Sequence, residues 1–197
     1  MATEVEIRRT LRTLIADLDR AIAFYETYVP TGQDINLIDR INKTDFYPAY
    51  NIISEALHIN AILTLCRLWD SKKETASLCQ LASKFCRSMD ELSKAGHKIH
   101  PQKIDKWLRD VEAGNKSGEL LALRRIRHRA LAHRADPNNT YTGKARNAVY
   151  GDERKVLEMT IPLIIEAGSF IGIVDTVPVD KQRKIRQDHA QKFWDKI

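Results

Sequence analysis

The chain has 197 residues, of which 43% are hydrophobic, so it can bury one core, and we expect a single domain over residues 1–197. Its 32 Lys and Arg and 26 Asp and Glu give a formal net charge of +6, which suits a polyanionic partner but is too small to identify one. With 8 Gly, 6 Pro and few alternating β-branched segments, the composition disfavours a β-rich fold and favours an all-α protein.

The predicted elements are helices along the whole chain. Apolar residues recur at steps of three and four over about 4–28, and Pro30 and Gly32 are expected to end this helix. A connection with room for a short helix follows. The next long helix, over about 48–70, is apolar almost all round and is therefore expected at the centre of the fold. Further helices are predicted at about 75–92, from Pro101, and at about 118–135, 152–174 and 179–194.

The cysteines and the least polar segments indicate the compartment. Cys66, Cys79 and Cys86 form no CxxC pair, and their odd number argues against a complete disulfide framework. Cys79 and Cys86 lie in an apolar helical pattern, where buried free thiols are expected. Acidic residues lie where a signal peptide would be apolar, and residues 161–174 are too short to span a bilayer. We therefore expect a soluble, cytoplasmic protein with no membrane partner.

The densest positive segment is IRHRALAHRA, at 126–135. Between Arg124 and Arg134 there are five arginines and two histidines, and Asp136 and Pro137 end the helix. Helix geometry places Arg127 and His133 about 9 Å apart along the axis and about 120° apart around it. They do not share a face, but the long arginine side chain can reach toward a phosphate near the histidine.

This pair of residue types is suited to RNA cleavage. A neutral imidazole can remove the proton of a ribose 2′-OH while a guanidinium holds the non-bridging phosphate oxygens. The unperturbed pKa of histidine, about 6.5, leaves both protonation states accessible near neutrality. The chemistry requires no metal ion and no cofactor.

The segment resembles the Arg-(polar)-x4-His signature of HEPN domains. Arg127 matches the motif arginine, His128 the polar position and His133 the motif histidine. The stretch ALHINAILTLCRLWDSKKETASLCQL, at 56–81, is similar to the helix and corner of abortive-infection members. The resemblance implies a HEPN-like helical bundle over 1–175 with an additional C-terminal helix over 176–197. Ala135 stands where modified members often carry tyrosine, which disfavours control by modification there.

The resemblance also implies a function. It predicts a metal-independent endoribonuclease that cleaves RNA by 2′-OH attack, as the toxin or effector of a toxin-antitoxin or phage abortive-infection system. It implies a homodimer in which both copies of the catalytic pair Arg127 and His133 face one cleft, restrained by an antitoxin or regulatory protein. The neighbouring basic side chains are candidate RNA contacts: Arg124, His128, Arg129 and Arg134.

Two residues before the corner are candidate supports for this site. Asp70 is placed to orient His133, and Arg67 to reach the motif helix, although the spacing favours a local i, i+3 ion pair between Arg67 and Asp70 over these roles. Other functions also stay open: a solvated basic helix surface, a catalytically silent module that binds RNA or a nucleotide or mediates dimerisation, and a DNA-binding regulator. No clear helix-turn-helix supports the last, and the intact motif pair favours the enzyme.

Overall fold

Helices form all the regular secondary structure in the part of the chain that the computed structural model describes. That part comprises residues 3–72, 74–97, 99–135, 147–173 and 179–196, without the side chains of 129–135, 179 and 180. The helices are α1 (Glu4–Gln33), α2 (Ile35–Ile41), α3 (Tyr47–Leu68), α4 (Leu78–Lys94), α5 (Pro101–Asn115), α6 (Gly118–Ala135), α7 (Asp152–Phe170) and α8 (Val179–Trp194). None of these described helices combines the length and apolarity needed to cross a membrane. The all-α prediction is confirmed.

The core is organised around α1, which packs against α3, α4, α7 and α8. Thr3 and Glu6 form a capping box at its start, with reciprocal hydrogen bonds of 3.4 and 3.1 Å between side chain and backbone. The predicted apolar stripe is buried, and each fully buried aliphatic side chain contributes about 1.5–3 kcal/mol. The buried residues of this stripe include Ile7, Leu11, Leu14, Leu18 and Ile22.

The first helix extends past the residues expected to end it. Pro30 lies inside α1, and the helix continues to Gln33. A tertiary hydrogen bond supports this last turn, because the Tyr50 hydroxyl donates to the Thr31 carbonyl at 2.7 Å. The Asp34 N–H also donates to the Pro30 carbonyl at 3.0 Å. The prediction of an end at Pro30 and Gly32 is therefore wrong.

Helix α3 is central in its second half only. Residues such as Ile62 and Leu65 are buried there, against α1 and α6. In the first half, Ile52 and Ile53 are exposed, and the buried Tyr50 belongs to a small separate cluster with α2 and α8. The expectation that this helix lies at the centre of the fold is met in its second half only, because α1, rather than α3, is the helix that the others surround.

Aromatic side chains pack together where α4, α5 and α7 meet. Phe85, Trp107 and Phe170, from α4, α5 and α7, meet edge to face with ring centroids 5.5 to 6.0 Å apart. The Trp107 indole N–H donates to the Leu163 carbonyl at 2.8 Å. These contacts join α4 and α5 to α7 and place the start of α6 beside them.

The cysteines are all free thiols, but they differ in exposure. Cys66 is buried, Cys79 is half-buried and Cys86 is exposed. Burial raises the pKa of the Cys66 thiol to about 11. The prediction that Cys86 is buried is wrong, because its neighbour Phe85 takes the core-facing position on α4.

Helix α8 docks on α1 mainly through polar contacts. The buried Glu26 carboxylate accepts from Arg183 and, at 2.8 Å, from the Gln187 amide. The buried indole of Trp194 donates to the Thr27 carbonyl at 2.8 Å. The charged C-terminal helix is thus joined to α1 by contacts along its length.

Candidate active site

The motif helix α6 is held firmly over its first two turns. Ser117 caps it by accepting a hydrogen bond from the Leu120 N–H at 3.3 Å. Leu120, Ala122 and Leu123 are buried, and the helix packs on α3 and α7. This packing fixes the direction in which the later, basic part of α6 extends.

Arg124 fastens this helix to the ends of two others. Its guanidinium donates to the Trp69 carbonyl at 2.5 Å, to Asn115 Oδ1 at 2.7 Å and to the Asn115 carbonyl at 3.2 Å. These acceptors lie at the C-terminal ends of α3 and α5, where backbone carbonyls lack helical partners and a cation is favoured by the helix dipole. The geometry gives Arg124 a structural role, and an RNA contact by the same side chain stays a prediction.

Arg127, the motif arginine, lies beside Asp70. Arg127 Nη1 and Asp70 Oδ2 are 3.5 Å apart, and the two side chains are 20% and 17% exposed. A carboxylate at this distance orients the guanidinium. The structure therefore brings together the motif helix and the corner that ends α3, where Asp70 faces Arg127 and its Oδ1 also accepts from the Lys72 N–H at 3.2 Å. The predicted contact of Asp70 with His133 falls on a side chain outside the described residues.

Arg67 turns to a different partner. Its Nη2 donates to the buried carboxylate of Asp17 on α1. The local ion pair between Arg67 and Asp70 is therefore replaced by two long-range pairs, Arg67 with Asp17 and Asp70 with Arg127. The sequence carries one signal for this contact, because Asp17 follows Leu14 by three residues on the buried side of α1. An acidic residue in that position requires a cationic partner.

His128, the polar residue of the motif, is exposed. Desolvation and the positive charges of Arg127 and Arg124 lower its pKa, while the charge of Asp70 acts in the opposite direction. The neutral imidazole is therefore favoured near neutrality. The other predicted site residues, Arg129, His133 and Arg134, lie on the described backbone of α6, but their side chains lie outside the described residues.

The aromatic and histidine residues outside the motif have structural roles. Trp69 and Trp107 are fully buried core residues. The His58 side chain is 30% exposed. Its Nε2 lies 2.5 Å from an oxygen of the buried Glu153, and its ring stacks on Tyr28 with centroids 4.5 Å apart.

The all-α bundle and the position of the motif on α6 agree with the HEPN resemblance of the sequence. A family model described as AbiU2, one of the HEPN families, matches residues 5–193, and the chain belongs to that family. This membership makes it a HEPN protein of the abortive-infection type. No curated protein and no solved structure matches the chain.

Proposed function

We propose that this protein is a metal-independent endoribonuclease, the toxin or effector of a toxin-antitoxin or phage abortive-infection system. The observation that carries the proposal is the Asp70–Arg127 contact on the motif helix, with 3.5 Å between the charged atoms. A partly buried carboxylate holds the guanidinium in place before substrate arrives, which reduces the reorganisation needed in the transition state.

In the proposed reaction, His133 acts as the general base. The imidazole takes the proton of the ribose 2′-OH, the 2′ oxygen bonds to phosphorus, and the bond from phosphorus to the 5′ oxygen breaks. The 5′ oxygen takes up a proton, which His133 of a second copy would supply in the proposed homodimer. Arg127 donates to the non-bridging oxygens as charge builds on them. The products are a 2′,3′-cyclic phosphate and a 5′-OH.

The remaining basic residues of the motif helix would contact the RNA backbone. His128 is exposed and directly follows Arg127 in the chain, so its side chain lies near a phosphate held by Arg127. Arg129 and Arg134 add positive charge further along the same helix. Such contacts raise affinity by releasing counterions and carry no sequence information.

The test is cleavage of total RNA by the purified protein in EDTA, followed by analysis of the product ends. His133→Ala is expected to abolish cleavage, and His189→Ala, which removes an exposed histidine on α8, is the matched control. Cleavage by the parent and the control, leaving 2′,3′-cyclic phosphates, supports the proposal. Equal cleavage by His133→Ala refutes it.

A catalytically silent RNA-binding or dimerisation module is the second candidate. Two of the motif-helix arginines already have protein partners, since Arg124 binds two helix ends and Arg127 adjoins Asp70. Such contacts would suffice to retain both residues in a protein without activity. Growth distinguishes the two functions: an active toxin slows the host when expressed, and His133→Ala relieves the effect, whereas a silent module has no effect in either form.

A further inference from the structure

A cleft of about 580 Å³ opens between α1 and the corner that follows α3. Three arginines line it, namely Arg12 and Arg20 from α1 and Arg67 from the end of α3. Ala16 and Ala76 are among its other lining residues, and their small side chains leave room between the guanidinium groups. The cleft therefore presents three cationic groups around an accessible space.

A buried carboxylate organises two of these arginines. The Asp17 side chain is 7% exposed; it accepts a hydrogen bond from Arg67, and its Oδ1 lies 3.7 Å from Arg20 Nη1. The Arg67 and Arg20 side chains remain 44% and 59% exposed, so most of their N–H donors face solvent. Arg12 is exposed and has no carboxylate partner in the described part of the chain. With Glu74 as the second acid of the lining, the cleft keeps one net positive charge.

The cleft adjoins the motif arginine. The Asp70 N–H donates to the Arg67 carbonyl at 3.1 Å, so the two residues lie in one turn at the end of α3. The side chain of Asp70 contacts Arg127, and that of Arg67 lines the cleft. The backbone turn from Arg67 to Asp70 therefore connects the edge of the cleft to the residue that contacts Arg127.

We propose that this cleft binds phosphates of the RNA strand whose scissile phosphate lies at Arg127. The inference rests on the proposed function for the position of the cut, and it adds a defined path for the substrate. Arginine donors spaced around an open cleft match the non-bridging oxygens of a strand that bends past Asp70. No aromatic side chain is among the described lining residues. The proposed contacts are therefore to phosphates, without base stacking, and carry no sequence information.

The test measures binding without cleavage. The probe is a fluorescent single-stranded RNA with 2′-O-methyl groups throughout, which lacks the attacking hydroxyl and stays intact. Arg12→Gln and Arg20→Gln, singly and combined, are compared with Arg109→Gln, which removes an exposed arginine of α5 outside the cleft. We expect each cleft variant to raise the Kd several-fold. The slope of log Kd against log salt should fall by about 0.7 for each phosphate that the variant no longer neutralises.

The outcomes separate this inference from the proposed function. Weaker binding and a reduced salt slope in the cleft variants alone support the cleft, whether or not unmodified RNA is cleaved. Unchanged binding in the double variant overturns the cleft, and cleavage by the parent would then still support the nuclease. A 2′-O-methyl dinucleotide has a single phosphodiester and cannot occupy the cleft and Arg127 together, so it should bind weakly, and binding as tight as that of the long strand overturns the path.

Discussion

Gly114, near the end of α5, is in direct contact with the six-membered ring of Trp69. A Cβ added at Gly114 would lie 2.4 Å from Trp69 Cη2 and 3.0 Å from Met159 Sδ. The indole cannot move aside freely, because its N–H donates to Thr160 Oγ1 at 2.8 Å and the Trp69 carbonyl accepts from Arg124. We therefore predict that Gly114→Ala destabilises the fold, although alanine is the better helix former.

The magnitude follows from two opposing terms. Replacing a helical glycine by alanine gains at most about 1 kcal/mol. Forcing a methyl group into a packed site costs about 1–3 kcal/mol, and the upper half of that range applies against a ring held at both ends. The expected net loss is about 1–2 kcal/mol. For a chain of this size it lowers Tm by about 2–8 °C, measured by thermal unfolding followed by circular dichroism.

Gly32→Ala is the matched control. Gly32 is also helical, in the last turn of α1, but a Cβ there would meet only Tyr150, at 3.7 Å or more, which is ordinary van der Waals contact. This substitution should leave Tm unchanged or raise it slightly. A Tm for Gly114→Ala equal to or above that of the parent would refute the reasoning, because it would show that Trp69 is free to shift.

Three further predictions concern the surroundings of the motif helix. Asp70→Asn removes the charge that orients Arg127, so kcat/KM for RNA cleavage should fall about fivefold, equivalent to about 1 kcal/mol; an unchanged kcat/KM would contradict this. Thr160→Val leaves the buried indole N–H of Trp69 without its acceptor and should cost about 1–3 kcal/mol in urea unfolding, whereas an unchanged midpoint would show another acceptor. Desolvation and nearby arginines lower the pKa of His128 in the folded chain. The contribution of this residue to the free energy of unfolding is therefore fully present above its pKa in the unfolded chain, and it is lost as the pH falls through its lower pKa in the folded chain. An NMR titration should give a midpoint below about 6.5, lower again in Asp70→Asn; a midpoint above it would contradict the assignment.

Several helices were predictable because their signals are local. Ser117 marks the start of α6 and Pro101 lies in the first turn of α5, so capping and backbone chemistry determined those bounds. The end of α1 was not predictable in this way. Pro30 usually stops a helix, but here a hydrogen bond from Tyr50 to Thr31 holds the turn that follows. Such a contact between distant segments leaves no trace in the local pattern.

The candidate site shows the same division. The segment from Arg124 to Arg134 stood out by charge density alone, and Asp70 was a candidate to reach the motif helix, although spacing favoured its pairing with Arg67. The acceptors of Arg124 are mostly backbone carbonyls, which have no sequence signature. The pairing of Arg67 with Asp17 joins residues 50 positions apart, so spacing along the chain favoured the nearer Asp70.

The anchoring of α6 also has a consequence for how the protein tolerates substitution. Leu120, Leu123 and Arg124 tie the start of this helix to its neighbours, whereas the residues proposed for chemistry begin at Arg127. Under the proposed function, substitutions at Arg127 and His133 should abolish activity while the chain stays folded, whereas substitutions of Leu120 and Leu123 should remove both. Inactive but intact variants should then accumulate under selection against toxicity, with their substitutions at Arg127 and His133.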